Sequence, residues 1–192
     1  FIKKINMNQP LPLFVDLDGT LIKEDIGQLS LKDQIKKNFF ICFVVIFKFI
    51  FFGKPNVKLY VSKNYLINFH KIHFNQACLD FINSAKVLGR KIYLISGSHQ
   101  LLINQFESKL DIFDGHFGTS ENYNMIGLNK VKFINEFLKI SKFDYIGNSH
   151  QDLDVWENSE NIIYTNVDES LLTKIQNFKQ NKIFIKAHFI KK

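Results

Sequence analysis

The chain lacks the patterns that mark secreted and disulfide-built proteins. Its 192 residues include 2 cysteines, and both Cys42 and Cys78 lie in apolar helical contexts without metal-ligand spacing. We interpret them as buried thiols in a reducing compartment. Residues 1–8 have no long apolar core of the secretory type. Because the chain begins with Phe1, we expect either a fragment or a true start at Met7. Without internal repeats or low-complexity linkers, one domain with an insertion is expected.

Charge and composition indicate a globular protein with a negatively charged partner. Hydrophobic residues make up 46% of the chain, which argues against disorder. Lysine and arginine number 25 against 18 acidic residues, a net charge of +7. Phosphorylated substrates, anionic lipid head groups and nucleic acid all carry the complementary charge. A generally lysine-rich surface without such a partner is the alternative.

One apolar run, residues 39–52, is interrupted only by Lys48 and ends at Gly53 and Pro55. A spanning helix needs about 20 apolar residues, so the run is too short to cross a membrane. It is either a buried helix of an inserted cap or a helix in the membrane interface. We favour the interface, because an aromatic run without a polar face is difficult to bury in a small cap. The lysines expected to reach head groups are Lys36, Lys37, Lys48 and Lys54.

Two carboxylates directly follow the first apolar strand. Leu13–Val15 leads into Asp16 and Asp18, and Gly19 then allows a sharp turn. Strand alternation would place both carboxylates on one side, at the sheet edge where open α/β folds bind ligands. Two acids this close require a cation or a shared proton. Mg²⁺ suits a site that also receives phosphate. An ordinary strand end with an Asp-Gly turn is the alternative.

Polar residues follow three later elements of the chain. Ser96 ends a buried strand and precedes a helix, where its hydroxyl either binds phosphate or only caps the helix. Lys130 begins another helix and can neutralise phosphoryl oxygens, although Lys132 competes for this role. Asn148 and Asp152 follow a fourth strand, in the loop after its last residue. These residues extend the predicted site around Asp16.

These segments together resemble the four motifs of the haloacid dehalogenase (HAD) superfamily, beginning with D-x-D-G-T at residues 16–20. The resemblance implies that Asp16 is a phosphoryl-accepting nucleophile and that Asp18 is the general acid and base. It further implies phosphate binding by Thr20, Ser96, Gly97 and Lys130, and Mg²⁺ binding by Asp16, Asp18, Asn148 and Asp152. HAD proteins usually have an acid where this chain has Asn148, so the metal site would carry one negative charge less.

A narrower resemblance concerns residues 147–156, which are similar to the G-N-S-x-x-D-L-P-V-W of one HAD subgroup. That subgroup is the HAD-like domain fused ahead of UbiA-type membrane prenyltransferases, and Asp154 departs from its usual proline. The resemblance implies a phosphorylated small-molecule or lipid-linked substrate and a prenyltransferase partner. It also implies contact with the membrane surface from the cytoplasmic side. We expect no nucleic-acid partner.

Alternating strands and helices predict an α/β fold with a parallel, HAD-like (Rossmann-like) sheet and an inserted helical cap. We predict the core at residues 8–22 and 74–180, the cap at 23–73 and a basic tail at 181–192. The last strand is expected at residues 161–167.

The expected function is Mg²⁺-dependent hydrolysis of a phosphomonoester through an aspartyl-phosphate. Two alternatives stay open. One is a soluble phosphoserine-phosphatase-like hydrolase, in which Asp25 stands where that family recognises the substrate's amine. The other is a catalytically silent regulatory domain of a prenyltransferase, for which the loss of one acid at Asn148 is the argument.

Overall fold

The first strand of the chain lies in the middle of a six-stranded parallel sheet with the order β4-β3-β1-β5-β6-β7. The structure, a computed structural model, describes residues 10–63 and 65–191. The strands are β1 (Leu13–Val15), β2 (His73–Asn75), β3 (Ile92–His99), β4 (Gly115–Thr119), β5 (Asp144–Gly147), β6 (Asn161–Tyr164), β7 (Asn181–Phe184) and β8 (Phe189–Lys191). The helices are α1 (Ile26–Lys37), α2 (Ile41–Ser62), α3 (Gln76–Val87), α4 (Gln100–Glu107), α5 (Leu128–Lys132), α6 (Leu153–Glu157) and α7 (Glu169–Gln176). Shorter 3₁₀ turns occur at Phe69–Lys71 and His150–Asp152, and a π-helical turn at Phe133–Phe137 continues α5.

The sheet separates two hydrophobic cores. Leu13 and Val15 of β1 belong to one core, whereas Phe14 between them belongs to the other. This division follows from the period of two along a strand. All three side chains are fully buried, as expected for a parallel sheet covered by helices on both faces. The predicted α/β sheet is therefore confirmed.

Helix α2 is divided by a sharp bend at Gly53, whose φ of 76° lies in the left-handed region. Lys48 and Tyr60 lie on opposite sides of the bend, and the Lys48 Nζ is 5.4 Å from the Tyr60 ring centroid. On a straight helix these residues would be about 18 Å apart. We call residues 39–52 the arm and residues 54–62 the wall helix. The helix was predicted to end at Gly53 and Pro55, but the wall helix continues beyond them.

The arm is exposed rather than buried within a cap. Its exposed large apolar side chains include Phe40 at 74%, Ile50 at 67% and Phe43 at 61%. The interpretation as a buried cap helix is therefore wrong for the described residues, while membrane contact stays a prediction. In the described ranges, no helix combines the length and apolar character that crossing a membrane requires.

The C-terminal segment is part of the folded structure, which corrects two sequence boundaries. β7 joins the sheet beside β6, so residues 161–167 do not hold the last strand. β8 pairs antiparallel with β2 through Asn75 and Phe189. The segment predicted as a basic tail thus forms two strands, whose mostly exposed side chains give no burial pattern in the sequence. The predicted start at Met7 and the first residues of the predicted core lie outside the described residues.

Candidate active site

Three neighbouring strands bring the predicted site residues to one edge of the sheet. β1 leads into Asp16, β3 carries Ser96, and β5 leads into Asn148. The Asp16 backbone N–H donates to the Ile146 carbonyl of β5 at 2.9 Å, which continues the sheet for one residue. Because all three strands are parallel, their carboxyl ends meet at one edge of the sheet.

Asp16 belongs to a buried ionic cluster centred on Lys130. Lys130 Nζ donates to Asp16 Oδ1 at 2.7 Å and to the Tyr145 hydroxyl at 2.6 Å. It also lies 3.3 Å from Asp152 Oδ1, which accepts a second hydrogen bond of 2.6 Å from Tyr145. Asp16, Lys130 and Asp152 are 6%, 3% and 1% exposed. The predicted choice of Lys130 over Lys132 matches this geometry, since Lys132 is exposed.

Burial sets the proton affinities in this cluster. It raises the pKa of Asp16 to about 7, against the opposing effect of the Lys130 ammonium. Burial alone would lower the pKa of Lys130, but the Asp16 and Asp152 carboxylates outweigh it and raise that pKa. Lys130 is therefore a permanent cation beside a carboxylate that titrates near neutral pH.

Asp152 holds the loop after β5 in place. Its Oδ2 accepts from the Asn148 and Ser149 backbone N–H groups, at 3.0 Å each, and from the Ser149 hydroxyl at 3.1 Å. With the bonds from Lys130 and Tyr145, both carboxylate oxygens are occupied by protein donors. The Asp152 side chain therefore positions Lys130 and the Asn148 loop.

Three protein donors hold the Asp18 carboxylate. The Ser96 and Ser98 hydroxyls donate to its Oδ2 at 2.9 and 2.8 Å, and the Ile26 backbone N–H donates to its Oδ1 at 2.7 Å. Asp16 and Asp18 nevertheless line one cavity, although β1 ends at Val15 and neither residue belongs to the strand. Burial raises the pKa of Asp18, and the nearby Asp25 carboxylate adds to this. A raised pKa suits a carboxyl group that donates a proton.

A cavity of about 740 Å³ opens above these groups. Asp16, Asp18, Gly97 and Lys130 line it, together with Asn148 and Asp152. Thr20 and Ser96 are fully buried behind its surface. Thr20 donates to Asn148 Oδ1 at 3.1 Å, and Ser96 donates to Asp18. The two hydroxyls thus orient neighbouring side chains, while their predicted contact with phosphate stays a prediction.

Lys58 of the wall helix is a site residue that the sequence analysis did not identify. Its Nζ donates to the Gly97 carbonyl at 2.7 Å and to Asn124 Oδ1 at 2.8 Å. It lines the cavity, and burial lowers its pKa although Asp18 and Asp25 act in the opposite direction. In a segment with many lysines, no local pattern distinguishes this one. Lys58 connects the wall helix to the strand that carries Ser96.

Asn75 is a second residue that the sequence analysis missed. Its Nδ2 donates to the Thr20 carbonyl at 3.1 Å and to the Thr165 hydroxyl at 3.2 Å. Its Oδ1 accepts from the His188 backbone N–H at 3.0 Å and from that of Cys78 at 3.4 Å. Asn75 is fully buried. It therefore connects the turn after Asp18 with the strands at the end of the chain.

A curated relative matches most of the chain. It is the uncharacterized protein y4nM of Sinorhizobium fredii (strain NBRC 101917 / NGR234), 32% identical over 153 residues. The match covers 78% of this chain, and this chain spans 29% of the length of that relative. No family model matches the sequence.

Solved structures share the architecture. A HAD family hydrolase from Salmonella enterica subsp. enterica serovar Typhi superposes with a TM-score of 0.61 at 15% identity, over 93% of this chain and 70% of that chain. A phosphoserine phosphatase that carries a phospho-aspartyl intermediate analogue superposes with a TM-score of 0.57 at 14% identity, over 92% and 93%. The chain shares the HAD-like, Rossmann-type α/β fold of these structures. The HAD-like fold class is therefore confirmed, whereas the UbiA subgroup stays a prediction.

A HAD-like fold implies a divalent metal ion. Some of the side-chain oxygens at the candidate site are free to bind such an ion, and others are not. Asp16 Oδ2 and Asn148 Oδ1 both face the Thr20 hydroxyl, at 3.5 and 3.1 Å. The carboxylates of Asp18 and Asp152 are instead occupied by protein donors, and no cluster of three His, Cys, Asp or Glu side chains occurs among the residues described. Mg²⁺ commonly uses one or two carboxylates and completes its shell with water and phosphate. One carboxylate and one amide oxygen suit this mode, while metal contacts of the Asp18 and Asp152 side chains stay predictions.

Gly19 places Asn148 close to the first motif. Its φ is +76°, and a Cβ built there would lie 2.1 Å from Asn148 Nδ2. Any other residue would displace the amide side chain. The close approach of this turn and the Asn148 loop therefore requires glycine.

Proposed function

We propose that the chain is a Mg²⁺-dependent phosphomonoester hydrolase of the HAD type that works through an aspartyl-phosphate on Asp16. The observation that carries the proposal is the asymmetry of the Asp16 carboxylate. Lys130 holds Oδ1 at 2.7 Å, while among the described residues Oδ2 has only the Thr20 hydroxyl, at 3.5 Å. One oxygen is thus anchored and the other is available to a substrate in the cavity.

The first step forms a bond from Asp16 Oδ2 to phosphorus and breaks the bond between phosphorus and the ester oxygen. Asp18, in its protonated form, gives its proton to the departing alkoxide. Lys130 donates to the oxygens on which negative charge collects. A bound Mg²⁺ ion would supply further charge neutralisation at the phosphoryl group. The products of this step are an alcohol and an aspartyl-phosphate.

The second step regenerates the enzyme. Asp18, now ionised, takes a proton from a water molecule whose oxygen attacks phosphorus. The bond between phosphorus and Asp16 Oδ2 breaks and inorganic phosphate leaves. Ser96 and Ser98 hold Asp18 for both transfers through hydrogen bonds of 2.9 and 2.8 Å. The same carboxyl group thus acts first as acid and then as base.

The finer proposal is that the substrate is a prenyl-linked or sugar phosphate at the cytoplasmic face of a membrane, next to a UbiA-type prenyltransferase domain. Two observations support it. Residues 147–156 resemble that subgroup, and the wall helix connects the cavity with an exposed apolar arm.

Two alternatives have particular observations in their favour. Asp25 lines the cavity, so its carboxylate could bind the amine of a substrate there. The Gln28 N–H, which donates to it at 2.8 Å, holds this carboxylate at the start of α1. This favours a soluble phosphoserine-phosphatase-like hydrolase. A silent regulatory domain is favoured by Asn148, which leaves the predicted metal site with one acid fewer.

The test is phosphate release from a panel of phosphomonoesters, including phosphoserine, sugar phosphates and prenyl phosphates, with Mg²⁺ titrated. We expect Asp16→Asn to lower the rate more than about a thousandfold, as is usual when a nucleophile is removed. The matched control is Asp111→Asn, which neutralises an exposed acid outside the cavity lining and should leave the rate unchanged.

Mg²⁺-dependent phosphate release that survives Asp16→Asn would exclude the aspartyl-phosphate route. Selective turnover of phosphoserine would favour the soluble alternative. A wild-type protein that binds Mg²⁺ but hydrolyses no member of the panel would favour the silent regulatory domain.

A further inference from the structure

The arm exposes apolar surface that the HAD-like core does not use. Its large side chains are between 37% and 74% exposed: Phe39, Phe40, Phe43, Val44, Ile46, Phe47, Phe49, Ile50, Phe51 and Phe52. Isolated apolar side chains on a surface are ordinary, but a contiguous patch of this kind marks an interaction site. The question is which partner covers it.

The charge of the surrounding chain selects an anionic partner. From residue 34 to residue 79 the sequence has no aspartate or glutamate. Lys36 and Lys37 end α1 one residue before the arm, and Lys54 follows one residue after it. All three lysines are exposed. An apolar segment with cations at both ends matches the boundary between anionic head groups and acyl chains.

The side chains of the arm favour lipid over protein. Lys48 is the only charged residue in the segment, and the other side chains from 39 to 52 are apolar apart from the Cys42 thiol. Protein interfaces usually form about one hydrogen bond per 100–200 Å², and the arm offers few groups that could form them. Lys48 Nζ lies 5.8 and 5.4 Å from the rings of Phe52 and Tyr60, turned back toward the wall helix. A lysine that bends toward the polar side of an apolar segment is typical of a membrane boundary.

The bend at Gly53 connects this surface with the cavity. Beyond it, Lys54, Lys58 and Ser62 of the wall helix line the space above Asp16 and Asp18. The arm is about 20 Å long at 1.5 Å per residue, less than the roughly 30 Å of a bilayer core. It can therefore enter one leaflet while the cavity stays near the head groups.

We infer that the arm docks on an anionic lipid bilayer and holds the mouth of the cavity at the level of the phosphate groups. The docking itself stands on the exposed apolar side chains and the flanking lysines. Its consequence for the substrate, a phosphomonoester carried by a lipid, rests on the proposed hydrolase function.

The experiment is flotation of the full chain with two kinds of vesicle, phosphatidylcholine alone and phosphatidylcholine mixed with phosphatidylglycerol. The wild-type protein should float with the mixed vesicles and bind them less at high salt. The triple variant Phe43→Ser, Phe47→Ser, Ile50→Ser should bind more than tenfold more weakly. The matched control, Leu66→Ser, Val87→Ser, Leu88→Ser, removes apolar side chains that are 84%, 88% and 74% exposed outside the arm, and should bind like the wild type.

A second variant separates charge from apolar contact. Lys36→Gln with Lys37→Gln should weaken binding to the mixed vesicles by about fivefold per lysine, with little effect on phosphatidylcholine alone. The exposed Lys174 and Lys179 provide the control pair, Lys174→Gln with Lys179→Gln, which should leave binding unchanged.

Three results would overturn docking on a bilayer. In the first, the wild-type protein floats with neither vesicle. In the second, the triple variant of the arm binds as tightly as the wild type. In the third, the protein forms a dimer in lipid-free solution and the dimer depends on the arm. The dimer would assign the arm to a second copy of the chain. Turnover of a water-soluble phosphomonoester should be unaffected by the arm variant, so failed flotation leaves the hydrolase proposal standing, and absent turnover leaves the docking proposal standing.

Discussion

The candidate active site and the arm differ in whether their side chains have partners within the chain. Asp16, Lys130 and Asp152 are nearly inaccessible, and each has hydrogen-bond partners within the chain. Phe40 and Ile50 of the arm are 74% and 67% exposed. Burying charges is unfavourable unless they are paired, and exposing aromatic side chains is unfavourable unless something covers them. The charged groups of the site are therefore paired within the chain, whereas the apolar side chains of the arm are left exposed.

One cysteine lies in each region, and the difference between their rates of thiol labelling is the largest effect that we expect. Cys78 lies in the core below the site, where burial raises its pKa to about 12, and Cys42 is half-buried on the arm. At pH 8 about one Cys78 in ten thousand is then a thiolate, the reactive form. A maleimide should label Cys42 about a thousandfold faster, as measured by mass spectrometry of peptides. Cys42→Ser should abolish labelling of the folded protein, and equal rates for both thiols would contradict the contrast.

Addition of mixed anionic vesicles sharpens this comparison. Labelling of Cys42 should become slower when the arm is covered, whereas Cys78 should be unaffected. Protection of Cys42 by phosphatidylcholine alone, to the same degree, would count against the role of the flanking lysines.

Removal of Lys130 tests whether the site depends on internal pairing. Lys130→Met leaves the buried Asp16 and Asp152 without their cation and should lower the free energy of unfolding by about 3–5 kcal/mol. Urea unfolding in metal-free buffer measures this change. Lys132→Met, at an exposed neighbour, should change stability by less than about 0.5 kcal/mol. Similar losses in both variants would argue that the cluster has no special energetic role.

The Lys130→Met effect should depend on pH in a definite direction. The pKa of Asp16 is raised from 3.8 to about 7, so the stability it contributes is full below 3.8 and is lost as the pH rises through 7. Without Lys130 that pKa rises further. The variant should therefore lose more stability relative to the wild type at pH 8 than at pH 5, and a larger loss at pH 5 would contradict the assignment.

The smallest effect is expected at Asn148. Asn148→Asp places a negative oxygen beside Asp16, so Mg²⁺ should bind a few-fold more tightly by calorimetry. The metal-free protein should lose about 1 kcal/mol of stability through carboxylate repulsion. Asn148→Ala should weaken Mg²⁺ binding. Equal affinities in all three proteins would exclude Asn148 as a ligand.

Local sequence patterns predicted the sheet. They also predicted that the main site residues lie close together at one edge of it. The apolar segments before Asp16, Ser96 and Asn148 identify strands, and parallel strands bring their ends to one edge. The hydrogen bonds that Asp18 accepts from the Ser98 hydroxyl and the Ile26 N–H were not predicted, because they depend on the path of the loops beyond the strand ends. β7 and β8 escaped because their side chains are mostly exposed and leave no alternating signal.

Long-range contacts account for the residues that the sequence analysis missed. Lys58 binds the Gly97 carbonyl, 39 positions away in sequence, and one lysine among many gives no sign of this. Tyr145 looks like an ordinary strand residue, yet its hydroxyl joins Lys130 to Asp152. Such roles depend on which distant residues the folded chain brings next to a side chain. The spacing of apolar residues along the sequence does not carry that information.

The position of Asn75 has a consequence for synthesis of the protein. Its carboxamide holds the Thr20 carbonyl on one side and the His188 N–H on the other, and β8 completes its strand pair. During translation, which proceeds at about 5–20 residues per second, the loop after Asp16 is made early but its last supporting contacts come from the end of the described chain. A nascent chain that stalls before residue 188 would therefore carry the side chains of the candidate site without all the contacts that hold the loop after Asp16. Assembly of the site is in this way delayed until residue 188 has left the ribosome.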